Sequence, residues 1–136
     1  ELAELLGFFE RSPAIRLLRS TNAPFIVDFL SRQFKSSGAI TVLHEELLAA
    51  LRSYIDEVQE IYPDRFSDKP ENYLNEWRSG NTRWLLRFHD AGSNAVTYQL
   101  TSFSEQVLSF LDRIVNQSTS FIGAQSRLQL VIGLLQ

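Results

Sequence analysis

RWLLRFHDAGSNAVTYQLT (83–101) is the stretch that most limits what this chain can become. Trp84, Leu86 and Phe88 recur at every second position, a turn-rich segment follows, and Val96, Tyr98 and Leu100 alternate again. Asp90, Gly92, Ser93 and Asn94 tolerate left-handed backbone, so period-two alternation on both sides of them predicts a β-hairpin. Two strands alone are marginal in water, so the hairpin must lie on something. Its expected apolar face, Trp84, Leu86, Phe88, Val96, Tyr98 and Leu100, is predicted to lie over a helical core as a lid.

Everything around it reads as helix. Leu2, Leu5, Leu6 and Phe9 recur at helical spacing. Ser12 before Pro13 is an N-cap and first-turn pair that opens a second helix through Leu18. Asn22 and Pro24 open a third, with Phe25, Ile26, Phe29, Leu30 and Phe34 on one side, ended by Ser36, Ser37 and Gly38. AIT (39–41) predicts a short strand, with Thr41 capping the helix that follows. That helix carries Leu47, Leu51, Ile55 and Val58 and runs to about Tyr62, before Pro63 stops it. A polar loop, DRFSDK, leads to a shorter helix from Pro70 with Tyr73, Leu74 and Trp77, ended at Gly80. After the hairpin, Ser102 and Glu105 form a capping box for a helix holding Val107, Leu111 and Ile114. A last helix is predicted from about Ser120.

Helix, short strand, helix, loop, helix and hairpin make up the winged-helix plan. The expected class is mainly α with a small β-hairpin: a winged-helix domain flanked by N-terminal and C-terminal helices. The expected division is an arm over 1–35, a winged-helix core over 36–101, and helices over 102–136. One domain suits 136 residues, of which 44% are hydrophobic and 21% charged. The longest apolar run, LQLVIGLL, is too short to cross a bilayer, and no basic segment leads into a signal-like stretch. A reducing cytoplasm suits the absence of cysteine. The chain opens in mid-pattern without Met, which reads as a piece of something longer.

Several chemistries find no support. HEELL (44–48) has the start of a zinc-protease helix, but Leu48 stands where the second histidine belongs. His44 therefore reads as a solvated helix residue. Glu45, Glu46, Asp56, Glu57, Glu60 and Asp64, relieved only by Arg52, follow the outer face of an amphipathic helix. No phosphate loop or nucleophile elbow occurs, and the expectation is a non-catalytic chain with no cofactor and no metal. A net charge of −3 argues mildly against a duplex reader. DNA contact would rest on Lys69, Arg78, Arg83 and Arg87, with Glu71 and Glu76 opposing it and no Lys or Arg in DAGSN. Association has better support: Leu2, Leu5, Leu6, Phe8 and Phe9, then Ile15, Leu17 and Leu18, exceed what a peripheral arm needs.

FFERSPAIRLLRSTNAPFIVDFLSRQFK (8–35) resembles the N-terminus of the JetA-type kleisin-like subunits of bacterial Wadjet SMC complexes. YLNEWRSGNTRWLLRF (73–88) and FIGAQSRLQLVIGLL (121–135) look like later parts of that family's pattern. The resemblance runs in order along nearly the whole chain. It implies a MukF-like architecture: a winged-helix domain that dimerises, then helices that engage the coiled-coil neck of an SMC ATPase. A kite-type subunit would bind farther along, and DNA would be held indirectly through a condensin-like antiplasmid defence complex in the cytoplasm, with no membrane contact. Catalysis would belong to other chains. On that reading Leu2, Leu5, Leu6, Phe8 and Phe9 are the candidate homodimer interface, and Phe121, Leu128, Val131 and Leu135 the candidate neck contact. The alternative is a winged-helix DNA-binding transcriptional regulator.

Overall fold

The computed structural model describes residues 1–117. Helices α1 (Leu2–Arg11), α2 (Pro13–Arg19) and α3 (Ala23–Ser31) come first, and α3 runs on into a π-helical turn, Arg32–Ser36. Strand β1 (Val42–Leu43), helices α4 (His44–Ile61) and α5 (Pro70–Trp77), and strands β2 (Leu85–His89) and β3 (Val96–Leu100) follow. A further helix, α6, occupies 102–117. The strands form one antiparallel sheet in the order β1-β3-β2. Helix, strand, two helices and a hairpin whose second strand sits centrally make a winged helix, here with α1 and α2 before it and α6 after it.

Local signals explain most boundaries. Ser12 Oγ accepts from the Ile15 amide at 3.3 Å, and Pro13 takes the first helical position, where a missing N–H costs nothing. Gly38, at φ 73°, turns the chain from the π turn toward the sheet. The stripe Leu47, Leu51, Ile55 and Val58 is buried as its spacing predicts. These side chains share one core with Leu17 of α2, Ile26, Phe29 and Leu30 of α3, and Val107 and Leu108 of α6. Phe29 lies against both Tyr54 and Trp77, with ring centroids 5.3 and 6.1 Å away.

Four local expectations need correction. The first strand is Val42–Leu43, not 39–41: Val42 pairs with Tyr98 and Leu43 with Thr97, while Ile40 stays exposed. Thr41 consequently does not cap α4, which starts at His44 without a side-chain cap; its hydroxyl accepts from Gln99 Nε2 instead. At α6 the cap is Thr101, one residue before Ser102. Its Oγ1 accepts from the Ser104 amide and donates to the Arg83 carbonyl at 2.8 Å. Glu105 then reaches outward to Lys35 of the π turn. The loop before α5 is not wholly polar either: Phe66, at φ 55°, is buried. Its ring meets Tyr73 edge-on at 5.3 Å, and Gln59 Nε2 donates to the carbonyls of both Arg65 and Phe66. Aromatic burial and those two bonds hold a backbone conformation that costs a non-glycine residue of order 1–3 kcal/mol elsewhere.

The fourth correction concerns the hairpin. Its turn lies where expected, with Asp90 accepting from the Gly92 amide and the Ser93 hydroxyl. Those bonds hold the Asp90 carboxyl below its usual pKa. The lid face, however, comprises Leu85, Tyr98 and Leu100, whereas Leu86 and Phe88 remain 46% and 45% exposed on the opposite side. The parity shifts because Arg83 takes φ 53° and makes Trp84 and Leu85 bury in succession. Trp84 belongs to the turn, not the pleat. Its amide donates to the Trp77 carbonyl at 2.8 Å, and its indole N–H donates to the Pro13 carbonyl at 2.9 Å.

Candidate functional site

Helix α1 leaves its apolar side exposed. At about 100° per residue, Phe8, Leu5, Phe9, Leu2 and Leu6 fill an arc of roughly 160°, and Ala3, Gly7 and Arg11 lie on the other side. Gly7 is the buried residue of α1, covered by the Arg11 side chain of its own helix, while Ala3 and Arg11 are exposed. The Arg11 guanidinium folds back over Gly7, and a larger residue there would displace that flexible side chain. Leu2, Leu5, Leu6, Phe8 and Phe9 are 70%, 58%, 54%, 55% and 51% exposed. The exposed area is on the order of 600 Å², the upper end for the largest apolar patch of an ordinary monomer. Leu17, grouped with them from the sequence, is fully buried, while Leu18 is exposed.

The arm that carries this face is held at defined points. The Trp84 indole grips the carbonyl of Pro13 at the start of α2, and the Arg16 guanidinium donates to the Asn81 carbonyl. Between α2 and α5 lies an open cavity of about 390 Å³, lined by Arg16, Arg19, Thr82 and the acids Glu10 and Glu76. Mixed charge on its walls favours no single ligand class.

The four candidate DNA residues do not form one site. Arg78 ends α5 and donates to the Asn75 side chain at 3.3 Å. Arg87 stands opposite Tyr98 in the ladder. Both guanidinium groups bear on the Tyr98 hydroxyl, whose pKa burial raises and whose neighbouring cations partly oppose the rise. Arg83 instead covers the Phe103 ring at 5.4 Å, and Lys69 sits before α5. Of the opposing acids, Glu71 pairs with Arg52 at 3.0 Å. His44 is not a solvated helix residue. It is half-buried, and its Nδ1 lies 2.8 Å from the Tyr98 hydroxyl, because the first turn of α4 passes under β3. Glu45, Glu46, Asp56, Glu57, Glu60 and Asp64 are exposed as their spacing predicts. Phe121, Leu128, Val131 and Leu135, and the helix expected from Ser120, lie outside the described residues.

Sequence reasoning missed two features here. The outward pair Leu86 and Phe88 was assigned to the core, and no signal short of the left-handed Arg83 distinguishes the two parities. The Tyr54 hydroxyl, which donates to Asp28 at 2.9 Å beside Arg32, has no sequence signature. Burial, then this bond and the adjacent carboxylate charge, raise its pKa well above the ordinary phenol value. Among the described residues, no cluster of His, Cys, Asp and Glu could hold a metal ion. Among them too, no helix is long and apolar enough to cross a membrane.

The fold and its surfaces define a winged-helix domain preceded by a helix whose apolar side is exposed among the described residues. The chain belongs to the family described as "Protein of unknown function (DUF3375)", whose model matches residues 8–136. It is similar to an uncharacterized protein of Mycolicibacterium smegmatis (strain ATCC 700084 / mc(2)155), at 30% identity over 128 residues. That match covers 93% of this chain and 26% of the relative, so the chain spans about a quarter of that protein's length. No solved structure matches it.

Proposed function

We propose that this chain is the dimerising N-terminal module of a non-catalytic, kleisin-like subunit. Its role is to link SMC motor units of a cytoplasmic, condensin-like plasmid-defence complex. The supporting observation is the apolar arc of α1, whose Leu2, Leu5, Leu6, Phe8 and Phe9 side chains are all exposed. A helix built this way is stable only when its apolar side meets another surface. A second copy supplies one: two such arcs come to about 1,200 Å², the lower bound of a stable protein–protein interface. A twofold contact uses the same patch on both copies and closes without forming fibres. The kleisin resemblance gives the dimer its purpose, because coupling two motors calls for a symmetric joint. The acidic outer face of α4 favours a protein-binding role over a DNA-reading one.

Light scattering on the purified chain at tens of micromolar tests this reading. The wild type should be a dimer, and Leu5→Glu with Phe9→Glu should be a folded monomer, because neither side chain is needed by the core. A wild-type monomer across that range would remove the proposal, and an unchanged dimer in the double variant would remove α1 from it. The DNA-regulator alternative draws on Arg78 and Arg87, which share the neighbourhood of Tyr98. It requires salt-sensitive retention on duplex DNA that is lost when both become alanine.

A further inference from the structure

β2 is an edge strand with three open sides. In the order β1-β3-β2 it has a hydrogen-bonded neighbour on one side only. The phase of the ladder says which backbone groups face the open edge. The Thr101 amide donates to the Trp84 carbonyl, and the Asp90 amide to the Ala95 carbonyl. The bonded pairs therefore alternate through Leu86 with Gln99 and Phe88 with Thr97, which are opposed in the register. Arg87 and His89 thus point their N–H and C=O groups away from β3. Beyond Leu85 every residue of β2 is exposed, although β3 beside it is largely covered.

The two faces flanking this edge differ in chemistry. Leu86 and Phe88 make the outer side apolar, extended across the sheet by Leu43, which pairs with Thr97 beside Phe88. On the inner side stand Arg87 and His89, with Arg78 also bearing on Tyr98 below. Among the described residues, neither Arg78 nor Arg87 takes part in a salt bridge. Exposed edges in natural proteins are usually covered, charged, interrupted by proline or bulged. Among the described residues nothing covers Leu85–His89, which holds no proline or bulge, and Arg87 is its one charged device.

We infer that the β2 edge takes up an extended protein segment in which apolar side chains alternate with acidic ones. The segment adds a fourth strand antiparallel to β2, a mode in which main-chain bonds supply affinity and alternate side chains supply specificity. Its backbone bonds to the open groups of Arg87 and His89. Its apolar residues lie beside Leu86 and Phe88, and its carboxylates meet Arg87 and Arg78. A duplex fits less well: the hairpin tip carries Asp90 and no cation, and the outer side of the strand is apolar.

The test uses two capped seven-residue peptides, one alternating valine with glutamate and one alternating valine with lysine. Binding is measured by fluorescence anisotropy, with backbone amide exchange read residue by residue. The glutamate peptide should bind and slow exchange at Arg87 and His89, and the lysine peptide should bind at least tenfold more weakly. Arg87→Glu should weaken the glutamate peptide about tenfold. Arg87→Pro should abolish binding while leaving the sheet paired, because that N–H faces away from β3. Far-ultraviolet circular dichroism and the two indole resonances check that both variants fold. Three outcomes would overturn the inference: equal binding of the two peptides, protection elsewhere than at β2, or duplex DNA binding at low salt with neither peptide bound.

Discussion

Removing the indole N–H that ties the arm to the wing, together with part of its ring, by Trp84→Phe, should destabilise the protein by about 2–4 kcal/mol. The magnitude combines two effects. Trp84 is 3% exposed and donates to the Pro13 carbonyl at 2.9 Å, on a buried residue. Phenylalanine leaves that acceptor without a partner, which costs about 1–3 kcal/mol. The smaller ring also leaves ~40 Å³ unfilled, worth about 1 kcal/mol at the usual cost of a cavity. For a chain of this length the melting temperature should fall by roughly 6–15 °C. Urea unfolding followed by the fluorescence of the remaining Trp77 measures the free energy. Limited proteolysis measures where it goes: cleavage between α2 and α3 should accelerate more than cleavage within α4. A loss below about 1 kcal/mol, with the arm still protected, would refute the anchor role of Trp84.

Capping at α6 separates neighbours: Thr101→Ala should cost about 1–2 kcal/mol and Ser102→Ala under about 0.5, by chemical denaturation. Hairpin parity makes an equally sharp contrast. Leu85→Ala should cost roughly 2–4 kcal/mol and Leu86→Ala under about 1, because only Leu85 is enclosed. Tyr54 predicts a response to alkali. Its raised pKa means that the folded state favours the neutral phenol, so its contribution is complete below the ordinary value of 10.0. That contribution is lost as pH climbs from there toward the raised value. Tyr54→Phe should therefore flatten the fall in stability above pH 10, measured by urea titration against the wild type.

Features written within a few residues were legible before any coordinates. The Ser12–Pro13 boundary needs only a hydroxyl three residues from an amide. The α4 stripe needs only a 3.6-residue period, and the hairpin turn only residues that accept left-handed backbone. The apolar excess of α1 was legible too, as composition. Where that surplus faces was not, because the direction depends on α2 being fastened to Trp84, more than seventy residues away.

The sequence alone determined that two alternating strands would close a helical core, since strand periodicity and turn chemistry act over short range. Tertiary structure decided which face of β2 turned inward. A strand has two faces separated by one residue, so a single left-handed residue at Arg83 exchanges them. The balance there is set by the bonds that the next residue, Trp84, makes to Trp77 and Pro13 and by its burial, none of which a local pattern contains.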